Sequence, residues 1–211
     1  MKNFFKKIAN FWYYYKWHTI IGVFSAIVIG VCVWQVVSSE DYDYTVMLYT
    51  SRSTTTALSQ ALEKTLCEYG EDLDNNGKVS VQVLNVSYSD TDTNKNFKNS
   101  QAQALRGELL SERCFLVITD DTRFEQIKSE GYFEKLKELS DKDGYAYTAN
   151  DKTPLGKKII SEFKNMGYEY YGDVENGLNL SLRYSGDDKN TDAATRREQQ
   201  KQLLLKIAED K

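Results

Sequence analysis

CFLVITDD, residues 114–121, runs through five apolar residues before closing on two acids. A run this short, continuous and rich in β-branched residues reads as a strand buried on both faces. Such strands belong to parallel sheets covered by helices. The flanking segments should then supply more strands beside it and amphipathic helices between them.

They do. YTVMLYT (44–50) reads as a buried strand, and SRSTTT (51–56) offers caps for a helix with Leu58, Ala61, Leu62, Leu66 and Tyr69 on one stripe, ended by Gly70. KVSVQVLNV (78–86) alternates as a second strand. A helix follows over about 97–112, with Ala102, Leu105 and Leu109 facing inward. Beyond the opening stretch, Phe124, Ile127, Phe133, Leu136 and Leu139 predict one or two helical pieces broken near Gly131. Residues 140–154 read as loop, 157–166 as helix, GLNLSLRY (177–184) as an alternating strand, and 193–209 as a terminal helix carrying Leu203, Leu204 and Ile207. This order predicts an α/β domain with a single open, mostly parallel sheet flanked by helices. The right-handed crossover rule makes the first three strands parallel neighbours.

Ahead of that domain, residues 17–39 carry no Lys, Arg, Asp or Glu. Residues 19–37 would span about 28 Å as a helix, close to one hydrocarbon thickness. Lysines precede the segment and Glu40, Asp41 and Asp43 follow it, so the positive-inside rule puts the N-terminus in the cytoplasm and the domain outside. Cleavage is not expected: residues 36–39 match a small-x-small site poorly, and Val31 stands where a lipid-attachment motif at Cys32 needs a small residue. The expected layout is a cytoplasmic or interfacial tip (1–18), a transmembrane signal anchor (19–37), a linker (38–43) and an extracytoplasmic domain (44–211). In the tip, Phe4, Ile8, Phe11, Trp12 and Tyr15 recur at helical spacing among lysines, which predicts a short helix in the cytoplasmic interface. His18, the only histidine, falls at that boundary as an interfacial residue. Gly22, Ala26 and Gly30 form a small-xxx-small stripe that would admit a second helix, although such residues are common in membrane helices anyway.

Charge narrows the function. The tip holds four lysines and no acid, so the rest of the chain, with 23 basic against 31 acidic groups, carries a net charge of −8. An acidic domain argues against a nucleic-acid partner, whose phosphates need Lys and Arg clusters. Catalytic signatures are missing: no nucleophile elbow, no phosphate loop, no H-E-x-x-H, and no histidine in the domain. An enzyme is not expected.

In open parallel sheets, ligands gather beyond the carboxyl ends of the strands. Three loops converge there, and they offer Arg52, Ser53, Thr54, Tyr88, Asp90, Asp120 and Asp121 as candidate ligand-binding residues. Ordinary polar loops and helix caps explain the same residues. DLDNNGKV (72–79) matches the opening of a calcium loop through Asp72, Asp74, Asn76 and Gly77, but position twelve is Val83 where a carboxylate is needed. Calcium would bind only if another carboxylate came from elsewhere; a helix-to-strand turn accounts for these residues without it. No other cofactor is expected. Cys67 and Cys114 could pair in an oxidising compartment or stay free and buried. GYEYYGD (167–173) interleaves tyrosines with acids, as sugar or peptide surfaces do, or as packing at a domain edge does.

With these segments placed, residues 44–139 resemble the first lobe of the extracellular solute-binding proteins of bacterial ABC importers. The resemblance rests on ALSQALEKTLCEYG before VSVQVLNV, the helix AQALRGELLSE, the strand CFLVITDD, and SEGYFEKLKEL. The anchor and the calcium-like loop also resemble uncharacterised anchored proteins of Gram-positive anaerobes. The first resemblance implies a ligand edge at the loops after strands one to three, and a ligand closed between two lobes. The residues that follow Leu139 are few for a full second lobe. The function expected is therefore a single-pass, membrane-anchored binding domain engaging another membrane or cell-surface protein. The alternative is a small-solute receptor using Arg52, Tyr88, Asp120 and Asp121.

Overall fold

The structure is a computed structural model and describes residues 2–37, 42–52, 54–169, 172–184 and 191–210. The chain divides into two units, Met1–Asp41 and Tyr42–Lys211.

The first unit is one helix, α1 (Lys2–Val37), about 54 Å long at 1.5 Å per residue. The separate interfacial helix expected over the tip is not seen: the helix runs unbroken from the tip into the apolar segment. Residues 2–16 contain no Pro or Gly to break it. Among the described residues, the part long and apolar enough to cross a membrane is Tyr15–Val33. Its side chains, His18 among them, are exposed within the isolated chain, except for the half-buried Thr19.

The second unit is an α/β sandwich around one five-stranded sheet. Its elements are β1 (Tyr44–Tyr49), α2 (Thr56–Cys67), β2 (Val81–Asn85), α3 (Lys95–Leu110), β3 (Leu116–Thr119), α4 (Asp121–Ser129), β4 (Tyr147–Ala149), α5 (Pro154–Asn165), α6 (Gly172–Glu175), β5 (Leu178–Leu182) and α7 (Thr191–Glu209). Strand alternation divides the core in two. Val46 and Leu48 of β1 point into a cluster with Leu58 and Leu62 of α2, Ile159 of α5 and Leu204 of α7. Met47 and Tyr49 point the other way, onto Leu105 of α3 and Phe124 and Ile127 of α4.

The strand order is β2-β1-β3-β5-β4. β1 pairs in parallel with β2 and β3, as expected, and the opening stretch does form a central, fully buried strand. The expectation of a mostly parallel sheet holds only for that half. β5 is antiparallel to both its neighbours, β3 and β4, so the sheet is mixed. The cause is the route of the chain. α6 lies at the carboxyl ends of β1 and β3, lining a cavity with Thr50 and Asp120, so the strand that follows must run back the other way.

Three local expectations are also corrected. Phe133, Leu136 and Leu139 are buried but not helical. Phe133 forms a bridge with Arg183, and Glu134 N donates to Leu182 O, so this segment is extended along β5. Residues 140–154 are not all loop, because they contain β4. Cys67 packs on the α2 face of the sheet and Cys114 on the α4 face; both are free, and the sheet between them excludes a disulfide.

Two contacts lock this arrangement. Gln200 of α7 is buried, accepts from Phe115 N (2.7 Å) and Leu116 N (2.6 Å), and donates to Arg113 O (2.8 Å). Gly156, in the first turn of α5, lies so close to Asn150 that an added Cβ would stand 1.8 Å from the Asn150 carbonyl oxygen. Gln200→Met should fill the same space while orphaning two buried N–H groups, and should cost about 2–4 kcal/mol in urea unfolding of a fragment spanning the domain. Gly156→Ala should be the more damaging of the two, since backbone must move to admit the methyl; an unchanged melting temperature would refute that packing.

Candidate functional site

The carboxyl edge of β1 and β3 carries a cavity of about 240 Å³, lined by Thr50, Ser51, Arg52, Asp120, Asp121 and Thr122 on one side and by Asp173, Asn176, Gly177 and Leu178 on the other. Its position follows from topology. β1 and β3 are parallel neighbours, so the loops after them leave the sheet side by side, and the start of β5 comes from the same edge because that strand is reversed.

Of the candidates read from sequence, Arg52, Asp120 and Asp121 meet here, with different duties. Asp120 caps α4, accepting from Arg123 N (2.9 Å), and its other oxygen takes both Ser51 N (2.8 Å) and the Ser51 hydroxyl. Its carboxylate is occupied in joining the two loops. Asp121 accepts from Asn179 Nδ2 (2.8 Å) and pairs with Lys142 (2.8 Å). Those two partners hold its carboxyl below the ordinary range. Arg52 is exposed at the rim.

The remaining candidates lie elsewhere. Thr54 accepts from Asn85 Nδ2 (2.7 Å), tying the loop after β1 to the end of β2. Ser53 falls outside the described residues. Tyr88 and Asp90 are not at the cavity; they enclose Arg123, which is only 3% exposed. Its guanidinium lies 4.8 Å from the Tyr49 ring centroid and 4.7 Å from that of Tyr88, and it donates to Tyr88 O and to Asp90, both at 3.1 Å. A desolvated cation between two rings, with a carboxylate at its end, is a closed structural clamp. Burial, then the bond to Tyr88, pushes the Tyr49 phenol well above its usual value.

Sequence reasoning missed Asp173. It is half-buried at the cavity wall and accepts no hydrogen bond among the described residues. Burial raises its pKa, Arg52 partly offsets that, and Asp120 adds to the rise. The stretch GYEYYGD contains it, yet nothing in that stretch marked the acid as special. Tyr168 of the same stretch is exposed and meets the Phe163 ring edge-on at 6.2 Å, which fits packing at a domain edge.

The acidic loop after α2 has the backbone of a turn. Asn75 and Gly77 sit at φ 58° and 86°, Asp72 accepts from Asn76 N (3.1 Å) and Gly77 N (2.7 Å), Asp74 accepts from Asn76 N (2.9 Å), and Asn76 Oδ1 accepts from Lys78 N (2.9 Å). A further carboxylate does arrive from elsewhere. Asp43, just before β1, brings a carboxylate oxygen within 4.8 Å of those of Asp72 and Asp74, so among the described residues these three could hold a cation. Asp43 already has a structural task, accepting from Leu73 N (2.8 Å) and Ser80 N (2.7 Å). Burial pushes its carboxyl up, but bonds from Ser80, Leu73 and Asp74 outweigh that and hold it below the usual value.

Gly22, Ala26 and Gly30 share one face of α1 by spacing, and all three are exposed. Buried Cys114 has its thiol pushed up to about 12 by burial, which suits an inert core residue.

Comparison with protein-family models found no match, and comparison with curated protein sequences found none at a significant level.

Asp173 makes the cavity testable through pH. A carboxyl whose folded pKa is raised binds its proton more tightly when folded, so its penalty is absent below the unfolded value near 3.9 and grows as pH rises through the folded pKa. Asp173→Asn should therefore raise the melting temperature at pH 7 and make no difference at pH 3. For Asp43, whose pKa is lowered, the sign reverses: its stabilisation is full above the ordinary carboxylate value and is lost as pH falls through the folded pKa. Asp43→Asn should lower the melting temperature at pH 7, with the gap to the parent closing in acid.

Proposed function

We propose that this chain is a single-pass membrane protein whose N-terminus lies in the cytoplasm, and whose α/β domain lies outside and binds another membrane or cell-surface protein through the carboxyl edge of its sheet. The apolar part of α1, with lysines towards its N-terminal end and acids after it, supports the anchor and its orientation. The observation that carries the binding reading is how the residues after Leu139 are used. They return to the same sheet as β4 and β5 and pack α5 and α7 on its face, and the edge cavity is walled by this one domain.

A cavity of about 240 Å³ is below the usual size of a small-molecule site, roughly 300–1,000 Å³. Walled in this way it encloses little of a free solute, whereas a protein surface brings its own opposing wall and excludes water from Arg52 and Asp173. The same two residues favour a second reading. A cation and a carboxylate across one hollow suit a small zwitterion, as in the solute-binding proteins that residues 44–139 resemble.

The two readings separate in one experiment. A photo-crosslinker at Asn176, which is exposed on the rim, should trap a protein partner in native membranes, and Arg52→Glu should abolish the adduct. If instead amino acids or short peptides raise the melting temperature, with about 2.7 kcal/mol expected at 100 times the dissociation constant, the small-solute reading replaces it. For the anchor, Ala26→Leu should reduce co-purification of a membrane partner if the small-residue face contacts another helix; unchanged recovery would argue against that contact.

A further inference from the structure

A second groove, of about 480 Å³, lies between the C-terminal turn of α7 and the segment from Glu138 to the start of α5. It shares no residue with the edge cavity. Its apolar part is formed by Leu139, Pro154, Leu205 and Ala208. Around that floor stand Glu138, Asp141, Glu209 and Asp210, against one base, Lys152.

The acids are not equally free. Asp210 accepts from the Tyr69 hydroxyl (2.6 Å) and lies 3.9 Å from Lys158, and Asp141 accepts from Thr148 N (2.9 Å). Glu138 and Glu209 are exposed and make no ion pair among the described residues. Glu209 also stands in the last turn of α7, where the helix already presents the negative end of its dipole, an unfavourable place for an acid. The groove thus combines an apolar floor, two unpaired carboxylates and a helix C-terminus. Each of these is satisfied by an ammonium or guanidinium group on an apolar stem.

We infer that this groove docks a cationic, partly apolar peptide segment of a partner protein, with Lys or Arg side chains reaching Glu138 and Glu209 and apolar side chains lying on Leu139 and Leu205. Charge complementarity selects the occupant. An acidic segment would meet four carboxylates, and a purely apolar one would leave them desolvated without partners.

The test uses the full chain in phosphatidylcholine nanodiscs, so that the lipid does not attract the probe. A fluorescent peptide of Lys, Leu and Ala is titrated by anisotropy against its counterpart with Glu in place of Lys. The Lys peptide should bind, and the Glu peptide should not. Glu138→Lys combined with Glu209→Lys should weaken binding at least tenfold. Glu125→Lys combined with Glu130→Lys, the same change of charge at exposed positions on and just after α4 outside the groove, should leave it within twofold. If the double reversal fails to fold, Glu138→Gln with Glu209→Gln should still weaken binding about threefold. Equal losses in the groove and control variants would show attraction to overall charge and overturn the proposal. So would absence of binding, equal binding of the Glu peptide, or free lysine displacing the peptide at concentrations near the peptide's own dissociation constant.

Discussion

The pairing of β3 with β5 is the constraint on which the rest of the domain depends. β3 has four residues, all buried, and it joins two sheet halves of opposite character, the parallel β1 on one side and the antiparallel β5 on the other. A strand this short leaves its entry exposed to error. The N–H groups of Phe115 and Leu116 are closed by one side chain, Gln200, from a helix 84 residues later in the chain. α7 therefore supplies apolar cover and also the acceptor for the start of the central strand. Once β5 is reversed, its first residues join the loops after β1 and β3 at one edge, and the cavity with Arg52 and Asp173 forms there. Reversal of one strand both completes the sheet and builds the candidate site.

That edge also shows why several of the sequence-derived candidates are tied up in contacts within the domain. A loop leading from a strand into a helix must satisfy the first N–H groups of that helix. Asp120 does this for α4 and, through Ser51, fastens the neighbouring loop. Tyr88 gives its carbonyl oxygen and ring face to Arg123, and Asp90 gives it a carboxylate oxygen. The charged side chains at this edge left without a hydrogen bond among the described residues are the exposed Arg52 and the half-buried Asp173, which act on each other only through their charges. Polar residue type at the right edge of the sheet was legible from sequence. Whether the neighbours had already used each polar atom was not.

The same limit explains the errors in the fold. The class, the N-terminal apolar helix and the first three strands were readable because apolar runs and 3.6-residue stripes dominate there. The direction of β5 was not, since alternation looks the same both ways along a strand. Its alternating polar residues Asn179, Ser181 and Arg183 are all buried. Asn179 bonds Asp121 and Thr148, and Arg183 donates to the carbonyls of Glu108, Leu109 and Ser111, closing the C-terminal end of α3. Phe133, Leu136 and Leu139 repeat every three residues like a helix, but hydrogen bonds to Leu182 and Gly144 hold the segment extended and turned.

Asp43 shows what register adds to sequence. Nothing links it to Asp72 along the chain except distance, and the calcium-like motif lacked a carboxylate at its twelfth position. The parallel pairing of Tyr44 with Val81 then dictates that the residue before one strand stands beside the residue before the other. Asp43 consequently meets Ser80 and, through Ser80, the loop that leads into β2. The carboxylate is delivered by the sheet, and its hydrogen bonds to Leu73 and Ser80 already give it a use. Its two oxygens join the start of β1 to the turn before β2, so the acidic loop is part of the sheet's own closure at the amino ends of its strands.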